Sequence, residues 1–318
     1  MSNVKRLINA SKSEINKMGP LELKESIYKS EGRVIMGQHL IFAGPGTVMG
    51  VTNAELLCSF GADMVMLNTI DLDNFENNPG LCGLTIKELK EKCNCPIGVY
   101  LGCPKKGEKR SDEKTLYRLA GMLATKEHIL KAVALGVDFI VLGGNPGSGT
   151  SIEDVIEATK LVKEICGDDI FLFAGKWEDG IEEKVLGDPL AAYDTKDVIK
   201  RLIDAGADCI DLPAPGTRAG ITVDMIRELV EYIHRYKPGT LAMSFLNSSV
   251  ECADEDTIRQ VALLMKQTGC DIHAIGDGGF GGCTWPENIY QLSVSIKGKN
   301  YTWFRTVSYT HLRAHETG

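Results

Sequence analysis

The chain has 318 residues, 43% hydrophobic and 25% charged, an ordinary globular composition with enough length for one large core. A net charge of −8 with no basic stripe argues against nucleic acid and anionic membrane as partners. No apolar run reaches the length of a membrane span, and the start Met1-Ser-Asn-Val-Lys-Arg is too polar for a signal peptide, so a cytoplasmic protein is expected. In that setting the ten cysteines read as reduced, mostly buried small hydrophobes, Cys58, Cys166 and Cys209 among them. Cys93-Asn-Cys95 lacks zinc spacing, and no second pair is expected to face it.

In chain order, residues 1–32 form an N-terminal helical flank with two helical pieces, 11–18 and 20–29. Leu21, Leu23, Ile27 and Tyr28 give it an apolar side, suited to a plug under the lower face of the larger domain. Strands are predicted at 33–38, 63–68, 96–101, 138–143, 170–175, 208–213, 240–245 and 271–276. Helices are predicted near 53–60, 86–93, 126–135, 152–166, 196–205, 223–236, 255–268 and 285–297. Four helix starts carry a capping box: Thr52/Glu55, Thr85/Glu88, Thr150/Glu153 and Thr284/Glu287.

A four-fold signature runs through this pattern. Gly61-Ala-Asp63, Gly136-Val-Asp138, Gly206-Ala-Asp208 and Gly269-Cys-Asp271 each follow a helix and precede a short apolar run. The glycine supplies a left-handed helix end, and the spacing of roughly 70 residues makes four βαβα quarters. The fold class predicted for 33–306 is therefore α/β, a (β/α)8 TIM barrel, with an open doubly wound sheet as the rival. Residues 307–318, beginning Val307-Ser-Tyr-Thr-His-Leu-Arg, read as the translation of a sequencing adapter. They carry no weight for fold or function, and the native chain is expected to differ after about Arg305.

In a barrel the chemistry belongs at the C-terminal strand ends, where the helix N-termini also gather and favour anions. Two glycine-rich turns lie there. Gly143-Gly144-Asn145-Pro146-Gly147-Ser148-Gly149-Thr150 follows the fourth strand, and Gly276-Asp277-Gly278-Gly279-Phe280-Gly281-Gly282 follows the eighth. Both can expose consecutive N–H groups, and the second is the better phosphate candidate by its position. Lys176 ends the fifth strand on the face of Ile170, Leu172 and Ala174, as a Schiff-base former, a base or a simple cation. Strand alternation sends Asp211 and Asn68 into the lumen, where Asp211 suits acid/base work or pairing with Lys176. His273 falls in the outward column as a packed, satisfied histidine, while Gln38 and His39 are rim polar groups without an assigned partner. Asp71-Leu-Asp73 could hold Mg²⁺ through water, and Asp277 could join it or contact a sugar hydroxyl.

Ser30-Glu-Gly-Arg-Val34, Gly50-Val-Thr-Asn-Ala-Glu-Leu-Leu57, Gly144-Asn-Pro-Gly147, Ala174-Gly-Lys176, Leu212-Pro-Ala-Pro-Gly-Thr217 and Ile275-Gly-Asp277 together resemble a bacterial TIM-barrel family of unknown function. Its members sometimes carry labels such as haloacid-dehalogenase-like hydrolase or phosphoenolpyruvate phosphonomutase-like. The resemblance runs up to about Arg305 and implies a barrel in a cytoplasmic bacterial setting.

The leading expectation is an enzyme acting on a small phosphorylated or carboxylated metabolite by a lyase or isomerase step. Lys176 would be its electrophile, Asp211 its acid/base and 276–282 its phosphate cradle. The alternatives are Mg²⁺-dependent hydrolase or phosphomutase-like chemistry on Asp71 and Asp73, a flavin or nucleotide oxidoreductase, and a non-catalytic anion-binding barrel. A homo-oligomer stays open.

Overall fold

Eight parallel strands close into a barrel in sequence order: β1 (Val34–Leu40), β2 (Met64–Asn68), β3 (Ile97–Gly102), β4 (Phe139–Gly143), β5 (Phe171–Gly175), β6 (Cys209–Pro213), β7 (Leu241–Leu246) and β8 (Ile272–Ile275). This computed structural model describes residues 4–106, 120–144, 148–177, 183–277 and 282–314, apart from the side chains of Ala43 and of 309–314. β1 pairs with both β2 and β8, which excludes the open-sheet rival. Helices α1 (Lys12–Ile15) and α2 (Pro20–Tyr28) come before the barrel. Around it run α3 (Asn53–Ser59), α4 (Ile86–Lys92), α5 (Lys126–Ala134), α6 (Ile152–Cys166), α7 (Thr195–Ala205), α8 (Val223–Tyr236), α9 (Glu255–Gln267) and α10 (Pro286–Ala314). The last is interrupted at Gly298, whose φ of 78° is not helical.

The Gly-x-Asp repeats work as four identical clamps. Each glycine has positive φ, from 81° at Gly136 to 111° at Gly61, as a left-handed helix exit requires. Each aspartate then grips the odd-numbered strand beside it. Its N–H donates to the carbonyl of Ile35, Ile97, Leu172 or Ala242. Its carboxylate accepts the N–H of the same residue, at 3.0 Å for Asp63, 2.8 Å for Asp138, 3.1 Å for Asp208 and 2.9 Å for Asp271. Each carboxylate also meets a basic side chain: Lys297 and Arg305, Lys90, Lys24 and His234 respectively. The clamp fixes the register between neighbouring strands at the lower rim, so the upper ends follow at set heights.

Two apolar layers result from strand alternation. Ile35, Val65, Val99, Ile140, Leu172, Ile210, Ala242 and Ile275 face the helices in one cluster. Met36, Met66, Tyr100, Val141, Phe173, Met243, Phe245 and Ala274 fill the lumen in the other, joined by Leu7, Ile8, Ala10, Ile15, Leu23 and Ile27 of the N-terminal segment. That segment contributes the plug of the lumen cluster.

The capping boxes at Thr52/Glu55 and Thr85/Glu88 form as expected. The third is shifted by one residue, with Ser151 as cap and Asp154 as its partner. The fourth is not a cap. Thr284 instead donates its hydroxyl to the Gly276 carbonyl at 2.6 Å, and α10 opens at Pro286.

Candidate functional site

Asp211 enters the lumen from β6, level with Gly175 of β5 and Met243 of β7. It is wholly buried, and neither carboxyl oxygen has a hydrogen-bond partner among the described residues. Burial therefore pushes its pKa well above the ordinary 3.8, favouring the protonated, uncharged form. Trp177 Nε1 and Asn247 Oδ1, both on residues 3% exposed, are likewise without a hydrogen-bond partner among the described residues.

Trp177 was not singled out from the sequence, though it continues the lumen parity of Phe171, Phe173 and Gly175. Its ring belongs to the lumen cluster, stacked on Phe245 at 5.4 Å and edge-on to Tyr100 at 6.2 Å. Its carbonyl accepts Arg218 Nε at 3.0 Å and Asn247 Nδ2 at 3.4 Å. Asn247 follows the same rule along β7, after Leu241, Met243 and Phe245.

Asn68 ends β2, also buried, and its Oδ1 accepts the Thr69 N–H at 2.7 Å. Thr69 has φ of 62°, a left-handed conformation that a β-branched residue adopts only under constraint. Ser248 (φ 69°), directly after Asn247, has the same feature beyond β7. Backbone strain thus occurs just past the C-terminal ends of β2 and β7.

The expected pairing of Lys176 with Asp211 is not formed. Gly175 is the residue level with Asp211, so Lys176 lies on the opposite, helix-facing parity with Leu172 and Ala174. Its ammonium is buried, donates to the Thr150 carbonyl at 3.1 Å and lies 4.0 Å from Glu183. Glu183 in turn accepts the Ile152 N–H at 2.7 Å, so a carboxylate of the chain itself holds the α6 N-terminus. Ser148 donates to Thr150 Oγ1 at 3.1 Å, and Thr150 Oγ1 donates to the Cys103 carbonyl at 3.2 Å, tying these two residues to the chain just past β3. Asn145 and Gly147 lie outside the described residues, as do Gly278 and Gly279 of the second turn.

The described part of that second turn is acidic. Asp277 accepts Gln38 Nε2 at 3.1 Å, and the Glu251 carboxylate packs against Gly276, so that a side chain at 276 would have to displace it. Two carboxylates thus lie at 276–277, whereas Lys176 lies at the β4–α6 turn. His39, on the outward face of β1, is buried with both ring nitrogens unpartnered among the described residues, and burial lowers its pKa to about 3. His273 is packed outward as expected; Nε2 meets the Gly32 carbonyl at 3.2 Å, and Nδ1 has no partner among the described residues.

The proposed metal ligands have other work. Asp71 Oδ1 accepts the N–H groups of Asp73 and Asn74, both at 3.0 Å, closing a turn. Asp73 bonds His128 at 2.9 Å and Lys131 at 3.0 Å, which lowers its pKa and docks the loop on α5. Among the described residues no three His, Cys, Asp or Glu side chains are arranged to hold a metal ion. The same residues contain no helix long and apolar enough to cross a membrane.

No curated protein sequence matches this chain. Solved structures with a similar fold include an archaeal fructose 1,6-bisphosphate aldolase, with TM-score 0.53 and 13% identity over 87% of this chain and 100% of that one. A Schiff-base-forming fructose-1,6-bisphosphate aldolase aligns with TM-score 0.50 and 13% identity over 91% and 99%. The carboxyl transferase domain of Rhizobium etli pyruvate carboxylase gives 0.52 and 13% over 98% of this chain and 53% of that one. At such identities the likeness establishes the barrel alone. By a match over residues 8–311, the chain belongs to the family described as domain of unknown function (DUF7916).

Proposed function

We propose that this barrel is an enzyme of lyase or isomerase type, acting next to the carbonyl of a small anionic metabolite. The observation that carries the reading is Asp211, a buried carboxyl midway along β6 without a hydrogen-bond partner among the described residues. Leaving such a group unpaired costs about 1–3 kcal/mol, and a substrate oxygen would satisfy it. A carboxylic acid kept neutral by burial can donate its proton to a carbonyl oxygen as an enolate or a broken C–C bond develops. Trp177 Nε1 and Asn247 Oδ1, without partners among the described residues, are further polar groups a substrate could meet.

The substrate's carboxylate or phosphate is assigned to the β4–α6 turn. There Glu183 already behaves as the anion that Lys176 and the Ile152 N–H favour, and a substrate anion would take its place. In this reading Lys176 is a binding cation rather than a Schiff-base former.

The test is proton exchange in D₂O, followed by NMR, over a panel of 2-oxo acids and phosphorylated ketoses. The wild-type protein is expected to exchange the proton next to the carbonyl, or to cleave the adjacent bond, with one class. Asp211→Asn should lower that rate by about 10²-fold or more. Lys176→Met should raise KM more than it lowers kcat, and borohydride should trap no adduct. Exchange that survives undiminished in Asp211→Asn would sink the proposal. Binding of these compounds without any turnover would favour the non-catalytic barrel.

A further inference from the structure

Three thiols that looked scattered along the chain meet outside the lumen. Cys58 lies near the end of α3, Cys93 caps α4, and Cys95 leads into β3. All three are buried, and Sγ of Cys58 lies 2.7 Å from Sγ of Cys95. No second cysteine pair faces Cys93-Asn-Cys95 among the described residues, but a single thiol, Cys58, does. Two thiolates on one tetrahedral zinc would be roughly 3.8 Å apart, given Zn–S bonds of about 2.3 Å, so this pair is too close to share a metal.

We propose that Cys58, Cys93 and Cys95 form a thiol–disulfide site, oxidised by hydrogen peroxide or a related hydroperoxide to a reversible Cys58–Cys95 bridge. The surroundings suit a nucleophilic sulfur. Burial opposes ionisation of Cys58, but the hydrogen-bonding thiols of Cys93 and Cys95, the Arg305 charge and the Asn94 N–H outweigh it and lower the pKa. Cys93 and Cys95 are raised, mainly by their contacts with that thiolate and by burial, and so remain S–H donors. One thiolate with neighbouring thiols is the arrangement in which a first oxidation product is resolved at once.

The chemistry balances. The Cys58 thiolate attacks the peroxide, forming an S–O bond and breaking the O–O bond, and the departing hydroxide takes a proton to become water. Cys95 then attacks the Cys58 sulfur as its own proton leaves. The S–S bond forms, the S–O bond breaks, and the second water departs. Two thiols give up two electrons and two protons, and one peroxide becomes two waters. The bridge would close a loop across a sequence separation of 37 residues, carrying β2, Asn68 and the Asp71 turn, so oxidation would stiffen one side of the candidate site.

The test uses the full chain in its native state, treated with hydrogen peroxide, alkylated, digested and mapped by mass spectrometry. A single intramolecular Cys58–Cys95 peptide is expected, lost on treatment with dithiothreitol. Cys103, Cys209 and Cys270 are equally buried but have thiols of raised pKa, and they should remain alkylatable after unfolding. Cys93→Ser should keep the bridge, whereas Cys58→Ser and Cys95→Ser should abolish it. The wild-type map decides even if those variants fold poorly. Oxidation confined to the exposed Cys82 and Cys252, or a stoichiometric metal on the native cluster, would overturn the proposal.

Discussion

A neutral carboxyl held in an apolar lumen makes stability depend on pH, and the sign follows from its raised pKa. Unfolded, Asp211 ionises near 3.8, while folded it retains its proton far above that value. Between the two the folded state binds the extra proton, so each rise in pH favours unfolding, at up to about 1.4 kcal/mol per unit. Asp211→Asn keeps the shape and removes the titration. Its melting temperature should therefore gain on the wild type as pH rises from the ordinary carboxyl range toward the raised pKa, even as activity is lost. A constant difference between the two proteins across that range would show that Asp211 is not held neutral. Asp211 and Asn68 were legible from strand parity alone. Lys176 was not, because deciding whether the last strand residue points in or out needs the register Gly175 to Asp211, a relation between two strands.

At the scale of elements, the Gly-x-Asp repeat revealed the topology while its aspartate's task stayed hidden. A glycine ending a helix ahead of an apolar run is local information, and strand boundaries followed to within a residue or two. The aspartate's partner is a backbone N–H on the neighbouring strand, 28 residues away for Asp63 and 41 for Asp138, which no local spacing reveals. Trp177 escaped for a related reason, since it lies just past β5, where alternation need not persist. The clamp can be tested where its ion pair is partly exposed. Asp208 accepts the Leu172 N–H at 3.1 Å and Lys24 at 2.8 Å. Asp208→Ala leaves that N–H unsatisfied and should cost about 2–3 kcal/mol in urea unfolding. Lys24→Met should cost less than about 1 kcal/mol, as a surface ion pair does. Equal losses would mean that the ion pair, not the grip on the strand, is what the repeat contributes.

For the whole molecule the decisive residue is Arg305, because it joins parts of the chain that the barrel alone does not connect. Its guanidinium, fully buried, donates to Leu7 O at 2.6 Å and Ala10 O at 3.4 Å in the N-terminal plug, and to Asn94 O at 2.8 Å between α4 and β3. It also pairs with Asp63 at 3.2 Å, the clamp that Lys297 shares. The plug closes the lumen from below with Leu7, Ile8, Leu23 and Ile27, so this one side chain couples the chain's first helices, its last helix and the lower rim. Arginine suits the place because its donors lie in a fixed planar fork and it stays charged when buried. Arg305→Ala removes the donor from three carbonyls and half the compensation from Asp63, and should cost about 3–5 kcal/mol in chemical unfolding. Arg305→Lys keeps the charge but cannot span the same carbonyls, so it should recover less than half of that loss. If lysine restores full stability, the charge on Asp63 is what matters. If alanine itself is tolerated, the plug and the last helix are held by apolar packing alone.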